Sequence, residues 1–240
     1  MKHPFRSHIL PFFPMGAGGL GLALRLWLYS AVDEKNLLPV GHPADALLYI
    51  LTALTLGIVF LATRQLIPRR IHKKTLCRIS ACAYGLGGLG LALTAVLDTA
   101  GSTARLALVA TIASILGALV LFLMAFLKFR GKKLPYWLPA ALTVVLMVGT
   151  VAQCQVWGAE SQLQSYFFPL LASISLILTA YYKTTLTAKQ GNPKLLAFFS
   201  QSAVFFCCLS LNTHQWPLYF GMLFWAAVQL YPCIRAKKEA

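Results

Sequence analysis

Acidic residues are scarce in this chain, six Asp and Glu against 21 Lys and Arg in 240 residues. One of the six, Glu239, lies in a basic tail and no two of the others pair inside an expected helix, so catalysis by paired carboxylates has little material. Neither H-E-x-x-H nor G-x-S-x-G occurs. No two of the six Cys residues stand at C-x-x-C spacing. Cys82, Cys154, Cys207, Cys208 and Cys233 sit in apolar runs and Cys77 beside a basic loop, a pattern of free thiols acting as small apolar groups rather than a disulfide framework. His42, His214 and Asp45 lack metal-ligand spacing, so neither a metal nor a cofactor is expected. An N-x-Ser/Thr acceptor is also missing, which together with short loops points to a prokaryotic host.

What is abundant is apolar sequence. Hydrophobic residues make up 58% of the chain, charged residues only 11%, and mean hydropathy is +0.70. A soluble domain carries roughly a quarter charged residues, so this composition belongs in a bilayer. Eighteen of the 21 basic residues fall in five stretches: Lys2 to Arg6, Arg64 to Arg78, Lys128 to Lys133, Lys183 to Lys194, and Arg235 to Lys238. Five of the six acids (Asp33, Glu34, Asp45, Asp98, Glu160) lie in the alternate gaps. Basic loops stay cytoplasmic, so the alternation sets sidedness. It also absorbs the net charge of +15: eighteen basic residues face Glu239 on one side, and three face five acids on the other. No basic patch is left for nucleic acid.

A hydrocarbon core takes about 20 apolar residues per helix. Eight segments qualify approximately: 9–31, 44–66, 79–98, 104–127, 135–155, 165–182, 195–212 and 216–234. The expected fold is an all-α polytopic membrane protein, one transmembrane domain over 1–240, with both termini cytoplasmic in the cell membrane. It divides into four helical hairpins, 1–78, 79–133, 134–194 and 195–240. The basic start followed by apolar residues resembles a secretion signal but reads as a retained first span, because Pro11 and Pro14 interrupt it and no cleavage site leads into a soluble domain. Ser200, Gln201 and Ser202 make the seventh span the weakest.

The first two hairpins look like parallel copies. Gly16-Ala17-Gly18-Gly19-Leu20-Gly21-Leu22-Ala23-Leu24 recurs as Gly85-Leu86-Gly87-Gly88-Leu89-Gly90-Leu91-Ala92-Leu93, identical at eight of nine positions. Both runs match the G-x-G-x-x-G dinucleotide fingerprint, which needs a strand before it and a helix after it. Here each lies inside an expected span. Small residues four apart let helices pack closely in lipid, as at Ala17/Gly21, Gly19/Ala23, Ala83/Gly87 and Gly88/Ala92. The expectation is a packed pair of first and third spans.

Arg25 lies within the first span, and a charge there must be paired, hydrated or able to snorkel. Gly18, Gly21 and Tyr29 share its helix face. By the repeat, Tyr29 aligns with Asp98, about one turn outward, roughly 5.4 Å, from the level of Arg25. An Arg25–Asp98 pair near the outer end is therefore expected, either as a structural lock or as part of a ligand site. Arg105, His42, Asp45 and Gln153 fall at similar depth and complete the candidate site. Gln201 and Gln229 lie deeper and read as interhelical hydrogen bonders.

The leading functional expectation is a carrier or binding protein for a small, in particular anionic, solute near the outer leaflet. The alternatives are a non-catalytic membrane subunit or scaffold binding a protein partner or its own copies, and a membrane enzyme acting on a lipid head group. The bilayer is the one partner every reading requires.

Overall fold

The computed structural model describes residues 12–31, 42–64, 74–101, 105–157 and 163–229. All regular structure among them is helical: α1 (Phe12–Ser30), α2 (Pro43–Arg64), α3 (Lys74–Gly101), α4 (Arg105–Phe129), α5 (Trp137–Trp157), α6 (Leu163–Thr187), α7 (Pro193–Leu209) and α8 (Trp216–Gln229). A 3-10 turn, Ser210–Asn212, separates α7 from α8. The helices fall on the eight apolar segments. Six of them, α2 to α7, contain a stretch long and apolar enough to cross a membrane. Large apolar side chains such as Ile50, Leu54 and Leu61 on α2, or Leu116 and Leu119 on α4, are exposed, as lipid-facing side chains are. The chain is a helical multi-pass membrane protein. In α1 the apolar run is diluted by Arg25 and four glycines, and α8 is described over 14 residues.

Neighbour relations define the architecture. Helices α3, α4, α5, α6, α7 and α8 each pack on the next, and α8 closes back on α3, forming a six-helix ring. Helices α6 and α8 also touch across it. The α1–α2 hairpin lies outside the ring, with both helices against α7. One apolar core runs through the whole, from Leu48 on α2 through Leu121, Leu142, Leu176 and Phe205 to Tyr219 and Trp225.

Helix α7 is the hub. It touches α1, α2, α6 and α8, and every residue from Gln201 to Leu209 is buried. Its polar interruption, which weakens it as a lipid-facing span, is explained by that position. Ser200 donates to the Ala226 carbonyl of α8, and Ser202 bonds back to Phe198 O at 3.0 Å. The helix starts on a clear local signal: Asn192 caps it, Oδ1 accepting from Lys194 N at 3.0 Å, and Pro193 follows, where a missing N–H costs nothing. Lys194 then donates from Nζ to Arg64 O, the last carbonyl of α2, at 2.9 Å. A cation on a helix C-terminus meets both an orphan acceptor and the negative end of the dipole.

Gln229 behaves as expected, accepting from Tyr84 Oη on α3 at 3.2 Å and donating to Trp225 O. Gln201 does not. It is fully buried, and neither its Oε1 nor its Nε2 finds a partner. An amide in that state forfeits about 1–3 kcal/mol. Gln201→Leu should therefore stabilise the fold by about 1–2 kcal/mol. Thermal unfolding in detergent would check this, and a lowered midpoint would mean that the amide is bonded in the membrane.

Candidate functional site

Arg25 is only 2% exposed, and among the described residues its guanidinium reaches a helix end. Nη1 donates to Leu209 O, the last carbonyl of α7, at 2.7 Å. Nη2 lies 3.5 Å from Tyr29 Oη, and the guanidinium sits over the Tyr29 and Phe168 rings at 5.6 and 5.7 Å. The 3-10 turn after Leu209 breaks the helix there, leaving a carbonyl and a negative dipole end that a cation satisfies. Arg25 thus does at one end of the first hairpin what Lys194 does at the other.

The expected Arg25–Asp98 pair does not form, because the two glycine-rich helices are not neighbours. Helix α1 makes no contact with α3. Two of the four aligned glycine pairs, Gly18 with Gly87 and Gly21 with Gly90, face inward in both copies, but toward different partners. A Cβ at Gly18 or Gly21 would collide with Cys208 or Leu209 of α7. One at Gly90 would collide with the Pro217 carbonyl and Gly221 of α8. The two copies therefore grip the two arms of the last hairpin. Of the four small-residue ladders, Gly19/Ala23 has no interface: both residues are exposed, and nothing lies within 4 Å of a Cβ at Gly19.

The remaining candidates separate. Asp98, on α3, has an Oδ2 that is buried without a hydrogen-bond partner, and the imidazole nearest to it is that of His214, in the turn before α8. His42 serves α2, its Nδ1 accepting from Ala44 N at 3.2 Å while its ring meets Trp27 edge-on at 5.3 Å. Asp45, one residue further, donates its backbone N–H to His42 O at 3.0 Å within the same first turn. Helix α4 begins at Arg105, whose side chain lies outside the described residues. Gln153 lies in the ring, on α5, which packs on α4 and α6 and not on α1, α2 or α3.

Gln153 marks a site-like feature of the described residues. It is 7% exposed and lines a cavity of about 30 Å³. That is room for about two waters. Ser114 of α4, Thr150 of α5 and Ser173 of α6 line it too, with Leu91 of α3 and Leu218 of α8 among the apolar wall. Neither Gln153 nor Ser114 (6% exposed) has a hydrogen-bond partner among the described residues. Thr150 bonds back to Leu146 O at 2.8 Å, and the Tyr219 hydroxyl, which neighbours Ser173, donates to Pro169 O at 3.3 Å. Two partnerless polar groups facing one void are what a hydrogen-bonding occupant requires. Ser114, Thr150 and Ser173 escaped the sequence reading. A signal existed, since Leu146, Gly149, Thr150 and Gln153 form one helical stripe.

Among the described residues no group of three His, Cys, Asp or Glu could hold a metal ion. Cys82, Cys154, Cys207 and Cys208 are free thiols. The chain matches no protein-family model, no curated protein and no solved structure.

The geometry at Arg25 has a direct test. Arg25→Met leaves the end carbonyl of α7 unsatisfied and should cost about 2 kcal/mol, whereas Asp98→Asn should change stability by less than about 0.5 kcal/mol. In a double-mutant cycle the coupling should stay within about 0.5 kcal/mol. A coupling above about 1.5 kcal/mol would restore the ion pair.

Proposed function

We propose that the protein is an eight-span membrane protein of four hairpins, both termini cytoplasmic, which binds or carries a small solute through the cavity of the α3–α8 ring. The charge alternation supports the threading, and the internal glycine repeat supports an origin of the first two hairpins by duplication. The observation that carries the solute reading is the partnerless pair Gln153 and Ser114 facing a void. Lipid-facing surface cannot explain such groups, and a purely structural bundle gains nothing from buried polar groups left without partners. The lining comes from the α3 C-terminal half, the α4 and α6 N-terminal halves and the α5 C-terminal half, the end that the charge pattern assigns to the outside.

The site moves accordingly. Arg25 and its surroundings hold α7, so solute chemistry passes from the guanidinium to Gln153. The subunit or scaffold reading keeps one observation in its favour: the exposed Gly16, Gly19 and Ala23 on α1, a surface shaped for close helix approach.

Uptake of labelled small polar solutes into proteoliposomes tests the proposal. Reconstituted protein should accelerate uptake of at least one solute, and Gln153→Leu should reduce that acceleration about tenfold, a barrier change of about 1.4 kcal/mol. Uptake equal to that of empty liposomes for every solute, with a second protein co-purifying in fixed stoichiometry, would replace the carrier by the subunit.

A further inference from the structure

The chemistry of the lining narrows what the cavity accepts. Among the described residues no charged side chain lines it, neither Arg25 nor Asp98 nor a lysine. Its polar groups are two serine hydroxyls, a threonine hydroxyl and a carboxamide. A hydroxyl donates or accepts as required, and a carboxamide does both at once. This set suits a molecule carrying donors and acceptors together. An anion would need convergent N–H groups or a cation, and a cation would need carboxylates or a cage of carbonyls. Against walls such as Leu91, Leu176 and Leu218, an ion would lose its hydration with nothing of opposite charge in return.

Size restricts the occupant further. The enclosed part of this half-open cavity, room for about two waters, fits a molecule of about three non-hydrogen atoms before any side chain moves. The void is also held to size by its helices. At Gly117 an added Cβ would come within 3.0 Å of Leu91 and 3.3 Å of Val145, so α4 sits tightly on α3 and α5 there. At Gly149, on the cavity wall, the nearest atom to an added Cβ is Ala113 Cβ at 3.6 Å, an ordinary contact. A methyl group can therefore be placed in this wall without strain.

We propose that the cavity is a binding site for a small uncharged molecule that both donates and accepts hydrogen bonds, with Gln153, Ser114 and Ser173 as its polar contacts. This rests on the solute reading above and replaces the anionic class that Arg25 implied. Formamide, formate and methylammonium are matched probes, of nearly equal size and differing in charge.

Saturation-transfer NMR on the full chain in nanodiscs reads binding directly. Formamide should show transfer at least fivefold above formate and methylammonium. Gly149→Ala, which fills the void, and Gln153→Leu, which removes its carboxamide, should each cut the formamide signal at least threefold. Circular dichroism should show both variants folded, and Gly149→Ala should keep the wild-type unfolding midpoint within a few degrees. Formate or methylammonium binding that Gly149→Ala abolishes would overturn the neutral assignment while leaving the cavity as the solute site. No transfer from any probe, with Gln153→Leu raising the unfolding midpoint, would mean a dry void and would overturn the solute reading with it.

Discussion

A helix that ends inside a membrane protein leaves carbonyls that lipid cannot satisfy, and this bundle is arranged around that constraint at Leu209. Arg25 answers it from α1, and Lys194 answers the matching problem at Arg64 from α7. Each is a cation placed on the end of the other element, so the first hairpin is fastened to α7 near both of its ends. In water such contacts would be weak. The exposed Lys194 contact is of that kind, whereas at the buried Arg25 an unsatisfied carbonyl would cost several kcal/mol and the contact becomes decisive. Between them the close approach at Gly18 and Gly21 supplies the dispersion contacts that lipid otherwise supplies equally well.

That arrangement explains why α7 can carry Ser200, Gln201 and Ser202. Burial on four sides removes it from lipid, and Ser200 turns its polarity into a link to α8. The glycine repeat acquires a physical meaning in the same frame. Gly21 and Gly90 are equivalent in sequence and both open a helix face, yet one admits Leu209 of α7 and the other the backbone of α8 at Pro217 and Gly221. The repeated feature is a smooth surface, and what fills it depends on which arm of the last hairpin arrives.

Much of the fold was legible because bilayer thickness and loop charge act on long stretches of sequence. Helix positions from α1 to α8 follow from hydropathy, and the start of α7 from Asn192-Pro193. Pairing of α1 with α3 was inferred from identity between the copies, and identity carries no information about adjacency. Two helices with matching small-residue faces compete for partners with every other helix, and side-chain shape on α7 and α8 decided the outcome. Arg25 was correctly singled out as a buried charge that must be satisfied. Its acceptor was invisible, because a backbone carbonyl has no residue type and becomes available only where a helix breaks. Gln153 was legible as a polar residue inside an apolar run, whereas Ser114 and Ser173 come into view only once α4, α5 and α6 are brought around one void.

The separation of charge from the cavity is the point at which structure and function meet. A charged group in a membrane core is costly, so the fold assigns Arg25 to a fixed acceptor and surrounds it with the Tyr29 and Phe168 rings. A guanidinium committed in this way cannot release its acceptor for a passing anion without unfastening α1 from α7. The uncharged polar groups of the ring carry no such commitment. Gln153 and Ser114 hold hydrogen-bonding capacity that no neighbour uses, at a desolvation cost far below that of an ion, and exchange of an occupant there leaves the helix ends untouched. A bundle pinned by its cations can therefore keep an exchangeable polar site only where cations are absent.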